Sequence, residues 1–269
     1  MSANISGAQK LLAARLDDLI ARTERGELAC GNFLSPADAA FVERLARERG
    51  VESRLAMLGG YEDAERRIPI IIPEYATSYG EDAIEAARSL FADEISEEIR
   101  AVHIKGSGYR SLSHRDYLGS VLALGIERDR LGDIVILDDF SAVVICSGSV
   151  FDFLLSGIDR IASDKVSVSN FEGLDELVAK REFLPIHDTV ASERLDCIVA
   201  ALTNLSREKA QTLIRSGLCE LDYIPEERCD RIVAPPCKIS VRGFGKYDIL
   251  AFDGETRRAR LRLVARKYI

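Results

Sequence analysis

The chain has 269 residues, of which 47% are hydrophobic and 30% charged, as expected for a folded protein of two or three domains and not for a disordered one. No apolar run reaches the roughly 18–20 residues of a membrane-spanning helix, and the N-terminus lacks the basic and apolar regions of a signal peptide, which favours the cytoplasm and excludes a membrane partner. The net charge of −8 argues against a nucleic-acid-binding protein unless the basic residues are concentrated in one part of the chain.

Residues 1–73 are predicted to form a small α/β domain. Ser6–Arg25 has the apolar spacing of an amphipathic helix, and a second helix is predicted to begin after Ser35, a favourable N-cap. Leu55–Leu58 and Arg67–Ile72 are predicted strands.

Residues 74–182 are predicted to form a second domain, in which helices alternate with strands. The predicted helices are Ile84–Phe91, Asp116–Leu124 and Phe151–Ile161, and the predicted strands are Ala101–Ile104, Ile134–Leu137, Ala142–Ile145 and Lys165–Ser169. This alternation is typical of an α+β sandwich of ferredoxin-like (RRM-like) type.

A short linker is predicted at Phe183–Asp188, followed by a third domain at residues 189–269. Its predicted helices are Glu193–Leu202 and Arg207–Ser216, and its predicted strands are Leu218–Tyr223, Lys238–Val241, Lys246–Phe252 and Arg257–Val264. Asp253-Gly254 predicts a tight hairpin turn between the last two strands, because a two-residue loop needs positive φ. The predicted fold class is α+β.

Neither a metal site nor a disulfide framework is predicted. The six cysteines are widely spaced, without a Cys-x-x-Cys pair, and the chain has only three histidines. No nucleophile elbow, P-loop or dinucleotide fingerprint is present in the sequence. We therefore expect no cofactor, no metal, no small-molecule substrate and no catalytic residues.

Basic residues are concentrated in the last third of the chain. From Ser192 onward there are 15 Lys and Arg residues against 11 Asp and Glu, whereas the preceding 191 residues hold 21 basic and 33 acidic side chains. Arg207, Gln211 and Arg215 recur every four residues, so they share one stripe of a helix, with Lys209 nearby. The stripe predicts a phosphate-binding surface, with a solvated helix face as the alternative.

A second group of basic residues is predicted on the strands. Arg258, Arg260 and Arg262 alternate with apolar residues, so they should share one sheet face, and no acidic residue follows Thr256 to pair with them. Further positive charge lies around the Gly243-Phe244-Gly245 turn, at Lys238, Arg242 and Lys246. We interpret this face as a second part of a nucleic-acid-binding surface.

The tail resembles the S4-like RNA-binding domain named for a small-subunit ribosomal protein. The resemblance lies in Glu193-Arg194-Leu195-Asp196, in residues 205–217 and in residues 239–246. It implies two helices packed on a small sheet, with the second helix presented to structured RNA. The positions that the resemblance assigns to RNA are Arg194, Ser206, Arg207, Lys209, Gln211, Arg215 and Arg242. Pro236-Cys237 departs from the Gly-Asp usual in that domain.

The rest of the chain resembles the YlmH family. The matching motifs are Gly106-Ser107-x-x-Arg110-x-Leu112-x-His114-Arg115-Asp116-Tyr117-Leu118-Gly119, Gly132-Asp133-Ile134, Gly59-Gly60-Tyr61 and Ala64-Glu65-Arg66. The resemblance implies a cytoplasmic RNA-binding protein without known catalysis, often encoded near cell-division genes. It also implies partners in rRNA, tRNA and the large ribosomal subunit, in ribosome quality control on the obstructed large subunit.

Lys105, Arg110, His114 and Arg115 surround the predicted start of a helix, where free backbone N–H groups favour an anion. They predict a second anion contact, with an internal lock of hydrogen bonds and a salt bridge as the alternative.

Two other functions stay open. The first is an RNA-modifying enzyme, a pseudouridine synthase or methyltransferase, guided by the same RNA-binding domain. The second is a cell-division scaffold that binds protein, which accounts poorly for the arginine strand.

Overall fold

The computed structural model of the protein describes residues 7–179, 183–256 and 259–269. The chain is an α+β protein, as the sequence predicts. It divides into two compact units, residues 1–180 and residues 181–269. None of the helices within the described ranges is long and apolar enough to cross a membrane.

The first unit begins with two helices packed on a three-stranded antiparallel sheet of order β1-β3-β2. Its elements are α1 (Gly7–Thr23), β1 (Ala29–Cys30), α2 (Pro36–Glu48), β2 (Leu55–Leu58) and β3 (Ile68–Ile71). The predicted N-cap of α2 is confirmed, because the Ser35 side chain accepts a hydrogen bond from the backbone N–H of Asp38.

A four-stranded antiparallel sheet follows in the same unit. The elements are α3 (Ala83–Leu90), α4 (Ala92–Glu98), β4 (Ile99–Lys105), α5 (His114–Ala123), β5 (Leu131–Asp138), β6 (Ser141–Ser147), α6 (Gly148–Gly157), β7 (Arg160–Ile161), β8 (Asp164–Lys165) and β9 (Ser167–Asn170). The sheet order is β5-β6-β4-β9, and β4-α5-β5-β6-α6-β9 follow one another in the order of a ferredoxin-like sandwich. The short helix α4 and the β7–β8 hairpin escape prediction from sequence.

Both faces of this sheet are covered. On one face, Val102, Val144 and Cys146 pack with residues of α5 and α6. On the other face, Val143 and Ile145 pack in one core with residues of β2, β3 and α3. Every residue of β6 is buried as a result. The core therefore continues across residue 73, where the sequence predicts a domain boundary. That boundary stays a prediction.

The second unit is a six-stranded antiparallel sheet of order β10-β15-β14-β13-β11-β12 with two helices packed on it. Its elements are β10 (Phe183–Val190), α7 (Leu195–Thr203), α8 (Arg207–Arg215), β11 (Cys219–Leu221), β12 (Ile224–Pro225), β13 (Cys237–Val241), β14 (Gly245–Glu255) and β15 (Leu261–Tyr268). Ile198, Ile214, Ile239 and Tyr247 lie in the core between helices and sheet.

The predicted linker at Phe183–Asp188 is wrong, because these residues begin strand β10. The strand pairs with β15 along its whole length, from Phe183 opposite Tyr268 to Val190 opposite Leu261. Pro185 is tolerated because β10 is the edge strand of the sheet, where a backbone without an N–H costs no ladder hydrogen bond.

The predicted hairpin turn at Asp253-Gly254 is also wrong. Gly254 does have a positive φ of 69°, but it lies inside β14, where the pairing with β15 shifts register between Phe252 and Glu255. The chain turns later, where the Thr256 N–H donates to the Arg260 carbonyl at 2.8 Å. Glycine here serves a strand irregularity instead of a two-residue loop.

Candidate nucleic-acid interface

Three of the predicted RNA contacts share one buried carboxylate, that of Asp196 in the first turn of α7. Arg194 donates to both Asp196 oxygens at 3.1 Å, and Arg207 donates its Nε to Oδ2 at 3.0 Å. Gln211 donates its amide to the same Oδ2 at 2.7 Å. Burial opposes ionisation, but the hydrogen bonds from Arg194, Gln211 and Arg207 outweigh it and hold the pKa of Asp196 well below its usual range.

Asp196 decides what these side chains can still offer a ligand. The carboxylate is fully buried, whereas the Arg194 and Arg207 side chains stay 36% and 51% exposed. Two guanidinium groups against one carboxylate leave one net positive charge, and each guanidinium has donors beyond those that Asp196 uses. Asp196 lies in the motif Glu193-Arg194-Leu195-Asp196. Its contact with Arg207, eleven residues along the chain, is not predicted from the sequence because it forms only when α7 packs on α8.

The remaining stripe residue, Arg215, is exposed in the last turn of α8 and forms no ion pair with any residue that the structure describes. The exposed Arg242 is likewise without an ion pair within those ranges, and its backbone N–H donates to the Leu218 carbonyl at 2.9 Å. That hydrogen bond places the Arg242 turn beside the chain that leaves α8. We call Arg194, Arg207, Gln211 and Arg215 the helix surface; Arg242 flanks it.

Lys209 and Ser206 have different places on α8. Lys209 lies two positions after Arg207, about 200° around the helix axis, so it faces away from the stripe. The Ser206 hydroxyl caps the helix by accepting the Lys209 backbone N–H at 3.4 Å. Ser206 therefore has a structural task, and Lys209 is an exposed cation apart from the helix surface.

Lys238, Lys246 and Arg262 lie on the other side of the second unit. Their strand neighbours Ile239, Tyr247 and Leu263 point into the core that the helices cover, so the three cations occupy the opposite sheet face. With Asp248, Arg266 and Tyr268 they form what we call the sheet surface. The predicted contacts are thus divided between two surfaces that the core separates.

The sheet surface is organised by a second buried carboxylate, that of Asp248, which is 5% exposed. Lys238 donates to it at 2.6 Å and Arg266 at 2.8 Å. The Lys246 ammonium lies 4.9 Å from the ring centroids of both Tyr223 and Tyr268. Burial opposes the charge of Asp248, but the hydrogen bonds from Lys238 and Arg266 prevail and lower its pKa.

The predicted row of three arginines on the terminal strand is wrong. β15 begins at Leu261, so Arg262 belongs to it and Arg260 does not. Arg260 lies in the preceding loop and donates to the Thr189 hydroxyl at 3.0 Å and to the Thr189 carbonyl, which ties the loop to β10. Arg258 lies outside the described residues.

In the first unit, the four exposed residues of the predicted second anion contact differ in whether they are bound within the unit. Arg110 donates to the Ser163 hydroxyl at 2.7 Å and lies 3.7 Å from Asp116, so it holds its own loop. Burial of the imidazole, followed by the nearby Arg128, lowers the pKa of His114 and favours its neutral form. The exposed Lys105 and Arg115 form no ion pair within the described ranges.

The start of α5 is largely satisfied from within. The Ser113 hydroxyl accepts the Asp116 backbone N–H at 3.3 Å, and the Asp116 carboxylate accepts the Ser113 N–H at 2.9 Å, which makes a capping box. The capping box therefore leaves fewer free backbone N–H groups at the start of α5 for an anion than the sequence predicts.

Several motif residues of the first unit serve its packing. Asp133 accepts hydrogen bonds from the Tyr61 hydroxyl at 2.8 Å and from the Glu65 and Arg66 backbone N–H groups. The Arg66 guanidinium donates to the Leu131 carbonyl at 2.8 Å and to two further carbonyls. These bonds join the segment after β2 to β5 and give a structural role, without a ligand, to residues of three motifs: Gly59-Gly60-Tyr61, Ala64-Glu65-Arg66 and Gly132-Asp133-Ile134.

The chain is similar in sequence to known proteins. Residues 96–174 match the sequence profile described as "Putative RNA-binding domain in YlmH". The chain is 28% identical over 241 residues to the "Ribosome-associated protein quality control protein P2" of Bacillus subtilis (strain 168), a match that covers 89% of this chain and 87% of that protein. Both matches support a relationship to the YlmH family. The solved "Cell division protein ylmH from Streptococcus pneumoniae" matches with a TM-score of 0.45 and 17% identity over 64% of this chain and 95% of that one.

The profile of the YlmH family covers the ferredoxin-like sheet and the loop between β4 and α5. RRM-type domains bind RNA by stacking bases on aromatic residues of an open sheet face. Here the N-terminal strands and α3 cover that face, so the protein must use another part of the matched region if it contacts RNA there. The helix surface and the sheet surface lie outside the matched residues.

Proposed function

We propose that the protein is a cytoplasmic, non-catalytic RNA-binding protein that acts on rRNA or tRNA at the ribosome, in quality control on the obstructed large subunit. In this proposal the second unit acts as an S4-like RNA-binding domain and uses the helix surface. The match to the RNA-binding profile and the similarity to the ribosome-associated protein of Bacillus subtilis support the ribosomal setting.

One observation carries the proposal. On and beside the helix surface, arginines that are held in place by a carboxylate lie together with arginines that have no acidic partner among the described residues. Asp196 holds Arg194 and Arg207 in place through at least two hydrogen bonds each. Arg215 and Arg242, by contrast, have no acidic partner in the part of the chain that the structure describes. Guanidinium groups suit phosphate because their planar fork donates two parallel hydrogen bonds.

Fixed geometry favours folded RNA over a flexible strand. A guanidinium that a buried carboxylate already orients loses little rotamer entropy on binding, so it is suited to phosphates whose spacing is itself fixed. Base-specific contacts are not required by this arrangement, because phosphate contacts set position and register.

The proposal is tested with the double variant Arg215→Glu, Arg242→Glu of the full chain. Because neither side chain is used internally, the fold should persist, as the melting temperature would show. Co-sedimentation with purified bacterial large ribosomal subunits should fall at least tenfold. The affinity of the unchanged protein should fall steeply with salt, with a log–log slope that the variant reduces by about 0.9 per lost phosphate contact.

The matched control is the double variant Lys10→Glu, Lys209→Glu, which changes the net charge equally at two exposed sites, one in the first unit and one on α8 that faces away from the stripe. It should lose at most about twofold in affinity, apart from the general effect of charge. Equal loss in both double variants would refute the assignment to the helix surface. Unchanged binding in the Arg215, Arg242 variant would do the same.

A further inference from the structure

Tyr109, in the loop between β4 and α5, is 96% exposed, the highest value among the exposed large hydrophobic side chains that the structure describes. Single exposed apolar residues are common on protein surfaces, so exposure alone indicates nothing. The setting of the ring distinguishes it, because the loop beneath it is tied down at several points.

The loop is anchored by hydrogen bonds at both ends and near its tip. The Gly106 N–H donates to the Phe140 carbonyl at 2.7 Å, and the Leu112 N–H donates to the Asp139 carbonyl at 2.8 Å. Between these points Ser107 donates both its N–H and its hydroxyl to the Asp164 carboxylate. The Tyr109 ring is thus presented on a loop whose conformation is set before any ligand arrives, which lowers the entropy cost of binding.

Gly106 and Gly108 fit this role of the loop. A Cβ atom on Gly106 would lie 2.7 Å from the Asp164 carboxylate, so a side chain there would disturb the Ser107–Asp164 bonds. Gly108 has a φ of +86°, which turns the chain directly before Tyr109. The glycines therefore shape the loop that projects the ring.

Cations lie at both ends of the loop, and the carboxylates that contact the loop are already bound. Lys105 and Arg115 are exposed on either side of the loop. Asp164 is bound to Ser107, and Asp116 is occupied by the capping box at the start of α5. An exposed ring beside free cations fits the chemistry of an unpaired base with its flanking phosphates.

We propose that Tyr109 stacks on an unpaired base of the bound RNA, with Lys105 and Arg115 on the adjacent phosphates. This site lies within the residues that match the family's RNA-binding profile and takes the place of the covered sheet face. It rests on the proposed function, because it assumes that RNA at the ribosome is the partner. It adds a contact in the first unit that is independent of the helix surface.

The test compares Tyr109→Phe, Tyr109→Leu and Tyr109→Ala in the full chain, with purified bacterial large ribosomal subunits as the probe. Stacking predicts roughly tenfold weaker binding for the Ala and Leu variants, and binding within about twofold of the unchanged protein for Phe. Retained affinity in the Leu variant would overturn the proposal, because it would show apolar burial without stacking. Tyr79→Ala, which removes another exposed ring of the same unit, should have no effect.

The nature of the partner is tested by placing the photoreactive residue p-benzoylphenylalanine at position 109, and at position 79 as the control. A crosslink from position 109 to ribosomal RNA supports the proposal. A crosslink only to a ribosomal protein, or none, overturns it. If the unchanged protein fails to bind the subunits at all, the proposed function itself fails, and the two failures are thereby distinguished.

Discussion

The helix surface and the sheet surface of the second unit are both built on a buried carboxylate that binds two cations and one neutral donor. Asp196 is fully buried and binds Arg194, Arg207 and the Gln211 amide. Asp248 is 5% exposed and binds Lys238, Arg266 and the Tyr268 hydroxyl. The two sites thus have the same composition on opposite faces of one core.

They differ in what surrounds the carboxylate. Around Asp248 the cations lie against aromatic rings, as with Arg266, 3.8 Å from the ring centroid of Phe183. At the helix surface, by contrast, Arg215 and the flanking Arg242 have no acidic partner among the residues described. A cluster of basic residues is therefore expected to bind a ligand only where its charges are not already used by the fold.

The largest expected effect is that of Asp196→Ala. Two guanidinium groups would then face each other without the carboxylate that both bind, and the Gln211 amide would lose its acceptor. Because Arg194 and Arg207 are partly solvated, we expect a loss of about 2–3 kcal/mol in the free energy of unfolding, less than for a wholly buried pair. Urea unfolding measures this loss of stability, and hydrogen exchange of peptides from α7 and α8 shows whether these two helices are affected.

The same variant should bind large ribosomal subunits weakly even under conditions where it is fully folded, because Arg194 and Arg207 are no longer oriented. Full affinity in the folded variant would mean that Asp196 only stabilises the unit. In that case the clusters around Asp196 and Asp248 would both serve only to stabilise the second unit.

A smaller effect is expected for Asp248→Asn. Asparagine keeps the volume of the side chain but loses the charge that Lys238 and Arg266 bind, which should cost about 1–2 kcal/mol in the free energy of unfolding. Affinity for the ribosomal subunit should stay within about twofold, since Lys238 and Arg266 are already bound to Asp248 and are not expected to contact RNA. A loss of binding as large as that of the Asp196 variant would erase the difference between the two surfaces.

Local patterns predict most helices and central strands of this fold. Ser35 before α2 is one such pattern, because capping depends on residues only a few positions apart. β10 escapes prediction because its apolar alternation is weak and contains Pro185, and its pairing with β15 joins residues nearly the whole second unit apart. The predicted hairpin turn at Asp253-Gly254 is wrong for a related reason. Gly254 lies in a strand irregularity that arises only from the pairing of β14 with β15.

The candidate site is predicted in its residues more than in its arrangement. The spacing of Arg207, Gln211 and Arg215 correctly puts them on one side of α8, because helical periodicity is local. That Lys238 lies on the far side of the core depends on which sheet face the helices cover, which no local pattern encodes. Tyr109 escapes attention because an exposed ring and a buried one look alike in a sequence.

The smallest effect concerns acid stability and follows from the lowered pKa of Asp248. A depressed pKa in the folded state means that the unfolded chain binds more protons at low pH, so the stabilisation is complete above the ordinary Asp pKa of about 4 and is lost as the pH falls through the folded value. Asp248→Asn removes this contribution. Its stability should therefore fall less steeply below about pH 4 than that of the unchanged protein, by at most about 1.4 kcal/mol per pH unit. Denaturant unfolding at a series of pH values measures both slopes. Parallel curves would mean that Asp248 titrates as it does in water, and that the hydrogen bonds from Lys238 and Arg266 do not hold its charge.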